Sequence, residues 1–326
     1  MNNSLTSMTR EYLSLPRDER AVKCCRDVWV IYPYAVAATE CVKALVAWPR
    51  VTCNPSMTMV GSPGVGKSRL AQRWRDESFA GKKGWAGKVL YIDMSNRKSG
   101  LDLEKRLLQE LGNLVRGRAY TLSARDYMEA QEAVRRLNIR AVIFDEIHGL
   151  QKRMSKQRLH NTLEALKGFT NPEWGLNVIL CGIEELTELL AQDEQIQSRF
   201  GLRTVTLPDW KNDNIFASFV ASFMCYMPLK DLSEVTSKEF LDELHKLAQL
   251  SNSTNKKSSR NSYNAKLGSP LRAIIDILKE ACRHAVICGD EYIDVGSIKD
   301  ARARLEGDVD IQALLLQHQR VVLDGE

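Results

Sequence analysis

Between Val60 and Leu70 the chain reads VGSPGVGKSRL. The inner eight residues fit G-x-x-x-x-G-K-[ST], with Gly61, Gly66, Lys67 and Ser68 at the specified positions. Glycines let consecutive backbone N–H groups turn inward onto phosphate oxygens. A lysine ammonium can reach the β- and γ-phosphates, and a serine hydroxyl can ligate Mg²⁺. The run Gly61, Ser62, Pro63, Gly64, Val65, Gly66, Lys67, Ser68 is therefore a candidate nucleotide cradle. Further on, AVIFDEIH places Asp145 and Glu146 after four apolar residues. Asp145 suits a metal shell, directly or through water, and Glu146 suits orienting and deprotonating an attacking water. Binding alone needs no second acid. His148, two residues on, reads as a packed or solvent-facing side chain. Two arginines complete the set: Arg199 in DEQIQSRF, just before a strand, and Arg272 in GSPLR, at a helix start. A guanidinium of the first kind can act across a subunit boundary on a neighbour's γ-phosphate; one of the second kind can sense nucleotide from a helical lid.

These residues need a scaffold. The runs SMTMV, KVLYIDMS, RAVIFDEI, LNVILCGI and LRTVTLP have the apolar character of buried parallel strands and alternate with helical stretches. That alternation predicts a doubly wound α/β domain with a parallel five-stranded sheet. The phosphate loop falls between SMTMV and the helical SRLAQRWRDE, at a helix N-terminus where anions bind well. After Trp210 the strand signals stop and helical patterns follow. The expected organisation is a helical N-terminal extension over 1–50, an α/β nucleotide-binding subdomain over 51–210, a helical lid over 211–305 and a tail over 306–326. Within the lid, SNSTNKKSSRNSYNAK, 251–266, has too little apolar surface to order itself and is expected to be a mobile loop.

Composition narrows the setting. In 326 residues, 46 basic side chains against 41 acidic give a net charge of +5, which permits nucleic-acid binding without demanding it. The eight cysteines form no C-x-x-C pair and several fall in apolar runs, which disfavours a zinc site or a disulfide framework and fits a reducing cytoplasm. The apolar stretch from Val28 to Trp48 is interrupted by Pro33, Glu40 and Lys43, so no membrane span is expected. Basic residues cluster after the second strand, at Arg97 and Lys98, and after the acidic pair, where QKRMSKQRL holds Lys152, Arg153, Lys156 and Arg158. Such segments can track phosphates without reading bases. No helix-turn-helix or zinc finger is evident, so intrinsic sequence-specific recognition is not expected.

Several segments together resemble a known family. DVWVIYPYA and KALVAWPR resemble the stretch before the phosphate loop of the TniB/TnsC AAA+ ATPases, transposition regulators of Tn7-like elements; DEIHGL resembles their second acidic motif. DEQIQSRF, LPDW and MPLKDLS resemble three further segments of theirs. The resemblance implies an AAA+ P-loop NTPase with an all-helical lid, using ATP and Mg²⁺. It implies Lys67 and Ser68 for phosphate and metal, Asp145 and Glu146 for metal and water, Arg199 as a finger and Arg272 as a second sensor. It also implies a homo-oligomer, ring or filament, on double-stranded DNA, linking a target-selecting adaptor protein to a transposase. One position departs from the family pattern. Gly182-Ile183 stands where relatives tend to have Gly-Thr, and isoleucine cannot hydrogen-bond a γ-phosphate or a water, so slow or partner-dependent hydrolysis is expected. A helicase loader or replication-initiator ATPase would share the same motor, and a nucleotide-gated scaffold that barely hydrolyses would share the loop.

Overall fold

A computed structural model describes residues 5–95, 103–147, 156–190, 193–200, 203–254 and 270–307. The chain forms two compact units, Pro33–Pro208, and Met1–Tyr32 together with Asp209–Glu326. The first unit contains α3 (Pro33–Ala47), β1 (Met57–Val60), α4 (Lys67–Phe79), β2 (Lys88–Asp93), α5 (Leu103–Arg116), α6 (Ala124–Arg136), β3 (Ile139–Asp145), α7 (Lys156–Thr170), β4 (Asn177–Gly182), α8 (Glu185–Leu190), α9 (Glu194–Phe200) and β5 (Thr204–Thr206). The second contains α1 (Ser7–Tyr12), α2 (Arg17–Cys24), α10 (Asn214–Met224), α11 (Lys238–Thr254), α12 (Leu271–Cys288) and α13 (Val295–Glu306).

The strands form one parallel sheet of order β2-β3-β4-β1-β5. Helices cover both faces, which is why the central strands read as unbroken apolar runs. Leu90, Ile92, Val142, Phe144, Val178 and Leu180 pack in one core cluster with Leu103, Leu107 and Leu111 of α5 and Leu163, Leu166 and Phe169 of α7. The alternate residues Val89, Ala141, Ile143, Ile179 and Cys181 are equally buried. On their face α4 packs on β2 and β4, and the Trp74 indole of α4 donates to Thr39 Oγ1 of α3 at 2.9 Å. The sequence reading of LRTVTLP as a buried strand is corrected: β5 is an edge strand whose Thr204 and Thr206 are exposed. At an edge only one neighbour and one row of side chains need be apolar.

In the helical unit α12 is the centre, packed against α2, α11 and α13. Its buried residues Leu271, Ile274, Ile277, Leu278, Ala281, Cys282 and Ala285 recur every three or four positions, one face of a helix. Arg20 of α2, 1 % exposed, makes a two-pronged ion pair with Glu291, which precedes α13. The helices of residues 1–50 do not form a separate extension: α1 and α2 belong to this unit and α3 to the α/β unit. The 251–266 stretch also differs from expectation at its start, because α11 continues to Thr254; its remainder, and the tail from 308 on, lie outside the described residues.

Candidate nucleotide site

The carboxyl ends of β1, β3 and β4 bring the motif residues to one edge of the sheet. Val60 of β1 pairs with Gly182 of β4, and Asp145 of β3 pairs with Asp93 of β2. The phosphate loop leaves β1 at this edge. Its glycines are needed where they stand. A Cβ on Gly61 would lie 2.6 Å from the Leu207 carbonyl oxygen. Gly64 and Gly66 hold φ of 83° and 97°, the left-handed region that L side chains avoid. Gly66 is also the N-cap of α4; it supplies no side-chain cap, and no acidic residue occupies the first turn. Lys67 is 5 % exposed, and its Nζ donates to the carbonyls of Gly61 at 2.7 Å and Ser62 at 3.0 Å. An ammonium thus sits inside a ring of backbone at an unacidic helix start. This cradle fits a polyphosphate anion.

Asp145 is a carboxylate 1 % exposed. Its Oδ2 accepts from the Tyr91 hydroxyl and its Oδ1 from the Glu146 N–H, both at 2.9 Å. Both donors are neutral, and no cation among the described residues lies within ion-pair distance. A buried anion so placed, on the same edge as the Ser68 hydroxyl, fits a hard divalent cation. Glu146 is half-buried and holds φ of 59°, a left-handed conformation unusual for a non-glycine residue. The Cys181 thiol on β4 reports how close these groups are. Burial pushes its pKa well up, the charges of Asp145 and Glu146 add to that, and Lys67 opposes them. Ile183 follows Gly182 at the same edge and brings no hydrogen-bonding group to it.

Arg199 lies elsewhere. Its Nη1 donates to the Lys167 carbonyl at 3.0 Å and to Thr170 Oγ1 at 2.8 Å, at the end of α7. The Thr170 carbonyl in turn accepts from Asn54 N–H, ahead of β1. Arg199 is therefore anchored at the amino edge of the sheet, the whole length of β1 away from the loop that leaves its other end, so it is no ligand of its own chain's loop. Arg272 sits in the first turn of α12, its side chain 83 % exposed and 3.8 Å from Asp276. His148, Arg97, Lys98, Lys152 and Arg153 lie outside the described residues, and Lys156 and Arg158 lie in α7 with undescribed side chains.

Sequence reasoning missed Tyr91, whose hydroxyl meets Asp145. Tyr91 is the one residue of KVLYID that carries a polar tip on an apolar body, and such a hydroxyl must find a partner when covered; burial, then the charge of Asp145, pushes its pKa up.

Strand order, loop and acidic pair define an AAA+ P-loop NTPase. Within that class the chain belongs to the bacterial TniB family, whose family model matches residues 20–212. Solved structures share the fold. The ORC2 protein of Aeropyrum pernix, solved as ADPNP-ADP complexes, superposes with a TM-score of 0.54 at 17% identity over 91% of this chain and 74% of that one. A Walker-type ATPase of Pyrococcus abyssi gives 0.52 at 15% identity over 89% and 76%. The Aeropyrum pernix ORC1 protein, solved in complex with DNA, gives 0.50 at 15% identity over 88% and 70%. No curated protein matches the chain. Among the described residues no helix is long and apolar enough to cross a membrane.

Proposed function

We propose that this protein hydrolyses ATP and uses its nucleotide state to assemble on duplex DNA, as a cytoplasmic regulator that links a target-selecting protein to a transposase. One observation carries the hydrolytic reading: Lys67, buried in the glycine cradle, shares a sheet edge with the Asp145–Glu146 pair. The Gly61–Ser68 loop and the N-terminus of α4 bind the phosphates, and Lys67 exchanges its loop carbonyls for phosphate oxygens. Ser68 and Asp145 would hold Mg²⁺. The cation, when bound, would neutralise negative charge on the phosphates. Glu146 orients a water for in-line attack and takes its proton. Arg199, excluded from its own loop, acts on a neighbouring subunit's nucleotide, and Arg272 senses nucleotide from the lid.

The family membership supports the DNA and transposition part of this reading. Arg97 and Lys98 follow β2 in the sequence, Lys152 and Arg153 follow β3, and they are proposed to touch phosphates without sequence preference. A second reading, a nucleotide-gated scaffold with slow turnover, is favoured by Ile183. Steady-state turnover with and without duplex DNA separates the two. The expected result is turnover that DNA raises, and that Glu146→Gln lowers by ~10²–10⁴-fold while ATP binding persists. Lys67→Ala should lose nucleotide binding itself. A Glu146→Gln variant that hydrolysed at the parent rate would remove Glu146 from the mechanism.

A further inference from the structure

The Tyr91 hydroxyl stands between two elements that the nucleotide site needs in register. Toward β3 it donates to Asp145 Oδ2 at 2.9 Å. On the α4 side the Gln72 side chain neighbours the phenol and opposes the rise in its pKa that burial and Asp145 cause. Gln72 lies four residues after Ser68, so the two occupy one face of α4, a turn apart. Strand register explains how a single ring spans the gap. Tyr91 pairs with Ile143, two residues short of Asp145, so its long side chain runs along the sheet and meets the carboxylate from below. The other carboxylate oxygen is taken by the Glu146 N–H. Asp145 therefore has each oxygen fixed by a neutral donor, and the residue itself is 1 % exposed.

We propose that Tyr91 is a positioning residue, which fixes the orientation of the Asp145 carboxylate at the sheet edge where it would ligate the cation. The inference rests on the nucleotide site proposed above. Its physical basis is that a buried carboxylate deprived of one donor turns or recruits water, and partners in the outer shell of a metal ligand are typically worth about 10–100-fold in metal affinity. Tyr91→Phe removes the hydroxyl and keeps the ring, so packing alone predicts no effect.

The test uses the full chain with a saturating non-hydrolysable ATP analogue, and Mn²⁺ binding read by electron paramagnetic resonance. Tyr91→Phe should bind Mn²⁺ about 10-fold more weakly, while its melting temperature and its metal-free nucleotide affinity stay at the parent values. Asp145→Asn is measured beside it. Unchanged Mn²⁺ affinity in Asp145→Asn would overturn the nucleotide-site reading itself. A loss in Asp145→Asn with none in Tyr91→Phe would overturn the Tyr91 proposal and leave the site standing. If Tyr91→Phe melts early, Mn²⁺ affinity is read well below its transition, and parent-like affinity there overturns the proposal.

Discussion

At the scale of single residues, the site combines groups whose conformations are costly with chemistry that needs them. Glu146 holds a left-handed backbone at φ 59°, a state that costs a non-glycine residue about 1–2 kcal/mol. Glu146→Gly should therefore melt no lower than the parent while losing turnover as fully as Glu146→Gln; a clear fall in melting temperature would show that the side chain, not the turn, was the stabilising group. The opposite logic applies to Gly61, where any Cβ meets the Leu207 carbonyl at 2.6 Å. Gly61→Ala is expected to destabilise by about 1–3 kcal/mol in urea unfolding, because backbone cannot step aside as a flexible side chain would. The loop and the acidic pair were legible in the sequence because each is a local run of residue types with one chemical reading. Tyr91 was not. Its hydroxyl meets Asp145 only through the pairing of β2 with β3, and nothing local in KVLYID says what the phenol will reach.

Elements bear out the same division between local and distant information. Each β run appears in the structure within a residue or two of its sequence limits, since alternating helices and apolar runs are local signals. The assignment of α1 and α2 to the helical unit shows in partners far off in sequence, α2 against α12, Thr6 N–H on the Cys225 carbonyl and Arg20 on Glu291, 271 positions away, and no local pattern carries that. The pair is also a stability device. Burial pushes the Glu291 carboxyl up, but hydrogen bonding and charge from Arg20, with Lys230, outweigh it and hold the group below the usual carboxylate range. A carboxylate depressed in the folded state contributes stability above its unfolded pKa, and that contribution is lost as pH falls through the folded value. The helical unit should consequently be acid-sensitive below about pH 4, and Glu291→Gln should flatten that part of the stability curve. At neutral pH the same substitution should cost about 3–5 kcal/mol, because Arg20 is left buried without its counter-charge. Denaturant titrations at stepped pH check both statements; an acid limb unchanged in Glu291→Gln would contradict the assignment.

For the whole molecule, the decisive fact is that Arg199 is anchored at the amino edge of the sheet, away from its own phosphate loop. If it completes a neighbour's site, subunits lacking Arg199 mixed with subunits lacking Glu146 should regain part of the parent turnover, since some junctions pair an intact finger with an intact base. Co-assembly without any regained turnover would count against the trans role. DNA affinity should fall steeply with salt, with a slope of about −0.9 in log K per neutralised phosphate, and replacing Lys98, Lys152 and Arg153 together by alanine should flatten it. The central claim is that nucleotide held by the Lys67 loop drives assembly on duplex DNA. Electron microscopy of the protein with duplex DNA tests it most directly, comparing a non-hydrolysable ATP analogue with no nucleotide, and the parent with Lys67→Ala. The account predicts ordered assemblies on DNA for the parent with the analogue, and bare DNA in the other three samples. Equal coverage without nucleotide, or by Lys67→Ala, would contradict it.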